Sequence, residues 1–287
     1  MSAGFFVAAA IIAAIVYFAL RKDKAPPIPA ASMPRPGILY GYYGDAPGQA
    51  AEVVDHTNLY FAAPWGGLDQ MAANILDARR LGLRNLVLAV DADRGSVDLT
   101  TETCRAWLRM LRGSGCLEAM NVLGLYWRDE PNQENPAAGL AVLSDERVRA
   151  QNASLRVMLA TEFPELGKVG MWTIMADRPD LPGLDDWDCV GGDDYPRGAA
   201  VLEPNRLIDR IRKGKRPDAG LILVPSPLLE NPVMDPTPFE QYAYAVPDVR
   251  VIMPFLWRDG WEGNRPGIRS STARDAYRAL GQRLLSA

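Results

Sequence analysis

Histidine and cysteine are nearly missing from this 287-residue chain, which has one of the first and three of the second. A single histidine excludes metal centres built on several imidazoles. Cys104, Cys116 and Cys189 fall at no CxxC spacing, and an odd, sparse set reads as reduced thiols rather than a disulfide framework. Their expected role is that of small buried hydrophobes. A basic stripe is missing too. The net charge is −4 and the lysines and arginines are scattered, which sets nucleic-acid binding aside. There is no GxGxxG turn and no Walker pattern, so nothing points to a dinucleotide or P-loop site. Ser226 stands between two prolines without a GxSxG elbow, which argues against a serine hydrolase. His56, in a helical stretch after the first strand, reads as structural.

What is present begins with an apolar run. Ala3 to Leu20 contains no charged or strongly polar side chain. As a helix it would span about 27 Å, close to the hydrocarbon thickness of a bilayer. It stops at Arg21–Lys24, and no lysine or arginine precedes it, which favours an uncleaved anchor over a signal peptide. The basic flank follows the run, so the positive-inside rule expects a single-pass anchor with the large domain on the cytoplasmic, inner side. For a membrane-containing virion the same rule applies to its interior. Residues 25–37 carry five prolines and read as a semi-rigid extended spacer. The expected plan is an anchor with its basic flank over 1–24, the spacer over 25–37, and one domain over 38–287.

From Ile38 onward, short β-rich apolar runs alternate with longer helical patterns. Eight runs qualify as strands: Ile38–Gly44, Asn58–Trp65, Asn85–Asp91, Asn121–Pro131, Lys168–Met175, Asp188–Pro196, Gly220–Pro227 and Val249–Trp257. Helical spacing recurs over Leu68–Leu81, Thr101–Leu111, Ser144–Phe163, Glu203–Lys213 and Ser271–Leu285, with Ser144 and Ser271 as N-caps. The connections after strands one, five and seven look short or irregular. Eight strand–helix units in this length predict a (β/α)8 TIM barrel preceded by one N-terminal transmembrane helix. An open doubly wound sheet is the alternative.

In such a barrel the active site lies at the C-terminal strand ends. Those ends carry Tyr42, Tyr43 and Asp45; Trp65; Asp91 and Asp93; Tyr126, Trp127, Arg128, Asp129 and Glu130; Trp172 and Thr173; Asp193, Asp194 and Tyr195; Ser226, with Glu230 further on; and Trp257, Arg258 and Asp259. Aromatics and carboxylates thus share one level. Aromatic faces stack on the apolar faces of sugar rings, while carboxylates bind hydroxyls or transfer protons. The expected ligand is therefore carbohydrate, with Tyr42, Trp65, Tyr126, Arg128, Trp172, Tyr195 and Trp257 as binding residues. An oxygen-ligand Mg²⁺ or Ca²⁺ site from Asp91, Asp93, Glu130, Asp193 and Asp194 is the weaker alternative. No metal or other cofactor is expected.

Alternation along strand four assigns sides. Leu123, Leu125 and Trp127 are expected against the helices, and Gly124, Tyr126, Arg128 and Glu130 inside the barrel. On that phase Glu130 is the catalytic candidate and Asp129 a loop-fixing residue on the rim. Arg128 beside Glu130 is expected to lower its pKa, which suits a base or nucleophile more than an acid. The second carboxyl that glycoside hydrolysis requires is assigned to Asp193 or Asp194, with Gly191 and Gly192 leaving room for a ligand or a close backbone approach.

The layout and the "DEP" at Asp129–Pro131 resemble the (β/α)8-barrel glycoside hydrolases, especially glycosidase-like proteins with Asp-Glu-Pro ending strand four. In the large retaining clan an acid/base glutamate ends strand four, usually after Asn, and a nucleophile glutamate ends strand seven. Glu130 matches the first position, with Asp129 where Asn would stand. Strand seven ends in Val-Pro-Ser-Pro, and Glu230 lies too far along to be equated with the second. Barrel chitinase-like and hexosaminidase-like enzymes instead use acids on strand four, the substrate's own acetamide, and a tyrosine from strand six, a part open to Tyr195. The resemblance implies a membrane-anchored glycoside hydrolase-like protein acting on a polysaccharide or peptidoglycan. The alternative is an inactive barrel that binds glycan or serves as a structural component beside protein partners in a membrane-bound assembly, a virion being one such case; only an active chain would be an enzyme.

Overall fold

The structure is a computed structural model that describes residues 35–44, 46–90, 101–118, 120–134, 141–194, 198–225, 235–260 and 266–287. The anchor and most of the spacer, together with Asp45, Asp91, Asp93, Tyr195, Ser226 and Glu230, lie outside the described residues. Among the described residues no helix is long and apolar enough to cross a membrane.

Eight parallel strands form one sheet: β1 (Leu39–Tyr40), β2 (Leu59–Ala62), β3 (Asn85–Ala89), β4 (Asn121–Tyr126), β5 (Gly170–Ala176), β6 (Cys189–Asp193), β7 (Gly220–Leu223) and β8 (Val249–Ile252). Their order is β1-β8-β7-β6-β5-β4-β3-β2, every ladder parallel. The two ends of that order meet at a seam that Asn58 closes. Its backbone N–H donates to Tyr40 O at 3.0 Å, and its side-chain oxygen accepts from Tyr40 N at 2.7 Å. The sheet is thus a nearly closed barrel, and the expected TIM-barrel class holds.

The helices are α1 (Gln49–Val53), α2 (Leu68–Arg80), α3 (Thr101–Gly113), α4 (Asp145–Glu162), α5 (Leu207–Gly214), α6 (Thr237–Ala245) and α7 (Arg274–Ser286). Ser144 caps α4 as expected, its hydroxyl accepting from Arg147 N at 3.3 Å. Ser271 does not cap α7; its hydroxyl closes a turn by donating to Ile268 O and accepting from Ala273 N. The stretch between β5 and β6 forms no helix. Pro179 and Pro182 break it, and Trp187 fills the space by stacking on Trp127 at 5.3 Å between ring centres.

Two apolar layers follow from strand alternation. Leu59, Phe61, Val87, Ala89, Trp172, Ile174, Cys189, Ile222 and Val251 fill the barrel interior. Their neighbours Tyr60, Leu86, Leu88, Met171, Val190, Leu221 and Ile252 pack outward against the helices. Register shifts in the β3–β4 and β7–β8 ladders reset the alternation. On β4 the shift turns Leu123 inward, against the expected outward side, while Leu125 and Trp127 lie outside and Tyr126 inside as expected. Trp172 fits beneath Gly124, where a Cβ would come within 2.5 Å of its ring. All three cysteines are buried free thiols. His56 is fully buried between Asp55 and the Tyr42 hydroxyl, at 2.6 and 3.1 Å.

Candidate active site

β4 ends at Tyr126, and the next residues are not strand. Every step of that turn is tied down. The Thr173 hydroxyl donates to Arg128 O at 2.8 Å, and Glu130 N donates to Ile174 O at 3.0 Å. Pro131 O accepts from Leu143 N at 2.8 Å. The buried Asn132 side chain bonds Ala176 N, Ala176 O and Asp180 O. Within this frame Glu130 has φ +43, the left-handed region that non-glycine residues avoid. Departure from strand geometry removes the alternation on which the sides of Asp129 and Glu130 were assigned.

Asp129 is therefore not an outward rim residue. Its carboxylate accepts from the Tyr43 hydroxyl at 2.9 Å and from the Tyr126 hydroxyl, two side chains of the interior cluster. Glu130 lies beside it and shares a side-chain hydrogen bond with Asp193, the last residue of β6. Gln133 Nε2 also donates to Glu130 Oε2 at 2.9 Å, and Arg178 donates to Gln133 Oε1 at 2.8 Å. Three carboxyls thus converge from β4 and β6 at the C-terminal mouth. Both Asp129 and Glu130 are half-buried, so the cluster stays open to that mouth.

Burial sets the protonation. It pushes the Asp129 carboxyl up, against its two tyrosine hydrogen bonds and Arg128. Burial first, and then the negative charge of Asp129, push Glu130 up to about 7; the bond to Asp193 and the nearby Arg178 and Arg128 oppose this. Arg128 lowers Glu130 as expected, but burial and Asp129 outweigh it, so the net shift is upward. Arg128 is itself buried, and its guanidinium donates to Ala141 O at 3.0 Å. A group poised near 7 suits a proton donor at neutral pH.

The aromatic expectations divide. Trp65 is half-exposed at the end of β2, close to Tyr43, with the Arg258 guanidinium 4.3 Å from its ring centre. Tyr126 is buried and holds Asp129 from below. Tyr42 and Trp257 sit in the outer layer instead, packed on each other and on His56, and Trp257 Nε1 donates to Glu52 at 2.7 Å. Trp172 is a buried core residue. It pairs with Cys189 at the start of β6, whereas Asp193 pairs with Ala176, four positions and roughly 13 Å further along the strand. Stacking on a ligand is thus not open to Tyr42, Trp172 or Trp257 as they stand. Tyr195 lies outside the described residues.

Tyr43 and Phe255 were passed over in favour of their neighbours. Leu39, Tyr43, Met253 and Phe255 share the inner face, while Tyr40, Tyr42, Ile252 and Trp257 share the outer one. The inward approach of Gly41 to Leu59, two residues before Tyr43, carried that parity. Gly191 and Gly192 leave no room for a ligand. The first meets the Cβ and backbone oxygen of Ile222, its partner on β7, which is the close backbone approach expected as the alternative, and the second meets Leu207 and Ile211 of α5. Asp194 follows Asp193 just past the end of β6 and is half-buried.

No protein-family model and no curated protein sequence matches the chain. Solved structures do. The catalytic domain of a GH26 endo-β-1,4-mannanase from Bacillus sp. JAMB-750 superposes over 87% of this chain and 85% of its own, at 11% identity and a TM-score of 0.51. A GH2 β-galacturonidase from Eisenbergiella tayi, bound to galacturonate, covers 89% of this chain and 52% of its own, at 11% identity and 0.51. A mandelate racemase/muconate lactonizing enzyme-like protein from Rubrobacter xylanophilus covers 79% and 53%, at 12% identity and 0.42. At these identities the likeness shows a barrel fold and nothing finer.

Proposed function

We propose that this barrel is a glycoside hydrolase acting on a polysaccharide or peptidoglycan, with Glu130 as its proton donor. The observation that carries the reading is the convergence of Asp129, Glu130 and Asp193 at the C-terminal mouth, with Glu130 pushed up to about 7. Such a group is protonated often enough at neutral pH to donate to a leaving oxygen, and ionised often enough to take the proton back. Half-exposed Trp65 and Phe255 stand on the β2 and β8 side of the mouth, where a sugar face can rest.

Asp193 hydrogen-bonds Glu130 directly. In this reading a carboxyl in contact with the proton donor does not stand across the glycosidic bond from it, as a flanking group must. The attack on the sugar therefore falls to another group, such as the substrate's own acetamide, in the substrate-assisted manner some glycosidases use. In this proposal the run 3–20 attaches the chain to a membrane, with the barrel on the inner side.

The test is release of reducing ends from mannan, galactan, chitin and peptidoglycan by the purified full chain and by Glu130→Gln. Hydrolysis of one of them is expected to fall by about 10²–10⁴-fold in the variant, with the unfolding midpoint retained. Undiminished hydrolysis by the variant would overturn the assignment. The carboxyl contact itself favours a second reading, a barrel that binds glycan without cleaving it. That reading predicts no release by either protein but saturable retention on one of the four glycans.

A further inference from the structure

We propose that Tyr43 and Tyr126 are positioning residues whose two hydroxyls hold Asp129 as an anion, so that its charge keeps the proton on Glu130. The proposal rests on the reading of Glu130 as proton donor, but its first test does not need activity. The geometry is specific. Tyr43 reaches in from the end of β1 and Tyr126 from the last position of β4, and each donates to a different oxygen of the same carboxylate. The rings are fixed by their neighbours: Tyr43 stacks on Phe61 at 4.7 Å, and Tyr126 meets Phe61 edge-on at 5.3 Å. Burial pushes the Asp129 carboxyl up; the two hydroxyl donors oppose it by satisfying the charged form, so removing either favours the neutral acid.

The consequence passes to Glu130 through charge. An ionised Asp129 next door makes ionisation of Glu130 costly, so Glu130 stays protonated to higher pH. The other groups facing the pair are Arg128 on the same turn, Arg178 after β5, and Asp193 with Asp194 at the end of β6. On the β2 and β8 side stands Arg258, over Trp65. The arginines act against retention of the proton; burial, and after it the charge of the tyrosine-held aspartate, act for it.

The experiment is a carboxyl titration by infrared difference spectroscopy on the full chain, with Glu130→Gln subtracted to isolate the Glu130 band. It is run on wild type, Tyr43→Phe, Tyr126→Phe and Asp129→Asn. Phenylalanine keeps each ring and removes only the donor. The Glu130 midpoint is expected to fall by about one on the pH scale in each Tyr→Phe variant, because Asp129 then takes up a proton first, and at least as far in Asp129→Asn. An unchanged Glu130 midpoint in the two Tyr→Phe variants, with thermal unfolding intact, overturns the proposal; so does an unchanged midpoint in Asp129→Asn. If hydrolysis is found, the alkaline limb of its pH profile moves down with the midpoint. If the midpoint moves and no hydrolysis is seen with any glycan, the positioning role stands and the enzymatic reading falls.

Discussion

Glu130 is held in a conformation and a charge environment that the free residue would avoid. Its φ is +43, and its carboxyl is pushed up to about 7 against an ordinary 4.5. The pH dependence of stability follows by linkage. Below pH 4.5 the group is protonated in both the folded and the unfolded chain. As pH rises, the unfolded chain loses the proton first and the folded chain gives it up only near 7. The stabilisation present at low pH is therefore lost between 4.5 and about 7. Glu130→Gln cannot titrate, so subtracting its stability isolates this effect from residues of opposite sign, such as Asp188, which hydrogen bonds and arginines hold below the usual carboxylate range once burial is outweighed. The difference, wild type minus variant, is expected to drop by on the order of 2 kcal/mol across that window and to be flat outside it, partial exposure reducing what full burial would give. Urea midpoints of both proteins from pH 4 to 8, about half a unit apart, check it. A flat difference throughout would show that Glu130 titrates normally.

At the element scale, two asparagines do different work. Asn58 closes the β1–β2 seam and Asn132 ties the acid-bearing turn to the end of β5. Asn58→Ala and Asn132→Ala each leave a backbone N–H without its partner, Tyr40 N in one and Ala176 N in the other. Each is expected to cost about 1–3 kcal/mol in denaturant unfolding. Only Asn132→Ala is expected to lower hydrolysis strongly as well, because it frees the turn that places Glu130 against Asp193. Equal activity losses in the two variants would contradict that division. The strands are legible from their β-rich runs because period-two burial leaves a plain mark, and all eight starts lie within two residues of expectation. Their ends were overread. The run after Tyr126 keeps strand-like residues but bends into a turn through bonds to β5, which no local pattern announces. The same bend brings Asp129 and Glu130 to one side. It sets Asp129 against Tyr43, one residue from the expected Tyr42. The helices α1 and α6, after strands one and seven, are short as expected, at five and nine residues.

At the scale of the whole molecule, composition and layout point to a barrel joined to an apolar segment by a proline-rich spacer. The eight-stranded ring accounts for the domain on its own: its interior and outer layers are filled by residues of 38–287. Among the described residues no helix is long and apolar enough to cross a membrane, and the proposed attachment is assigned to the run 3–20. Its eighteen residues are long enough to span the hydrocarbon core as a helix, and Arg21, Lys22 and Lys24 would stop transfer at the inner face. The full chain is accordingly expected in the membrane pellet, resisting alkaline carbonate and released by detergent. A variant lacking residues 1–31 is expected in the supernatant with the same unfolding midpoint, since residues of 38–287 fill both apolar layers of the barrel. A protease added to sealed inner-side-in vesicles should spare the barrel until detergent opens them, which also tests the side. Recovery of the full chain in the carbonate supernatant would remove the anchor from the proposal and leave the barrel and its acid cluster unaffected.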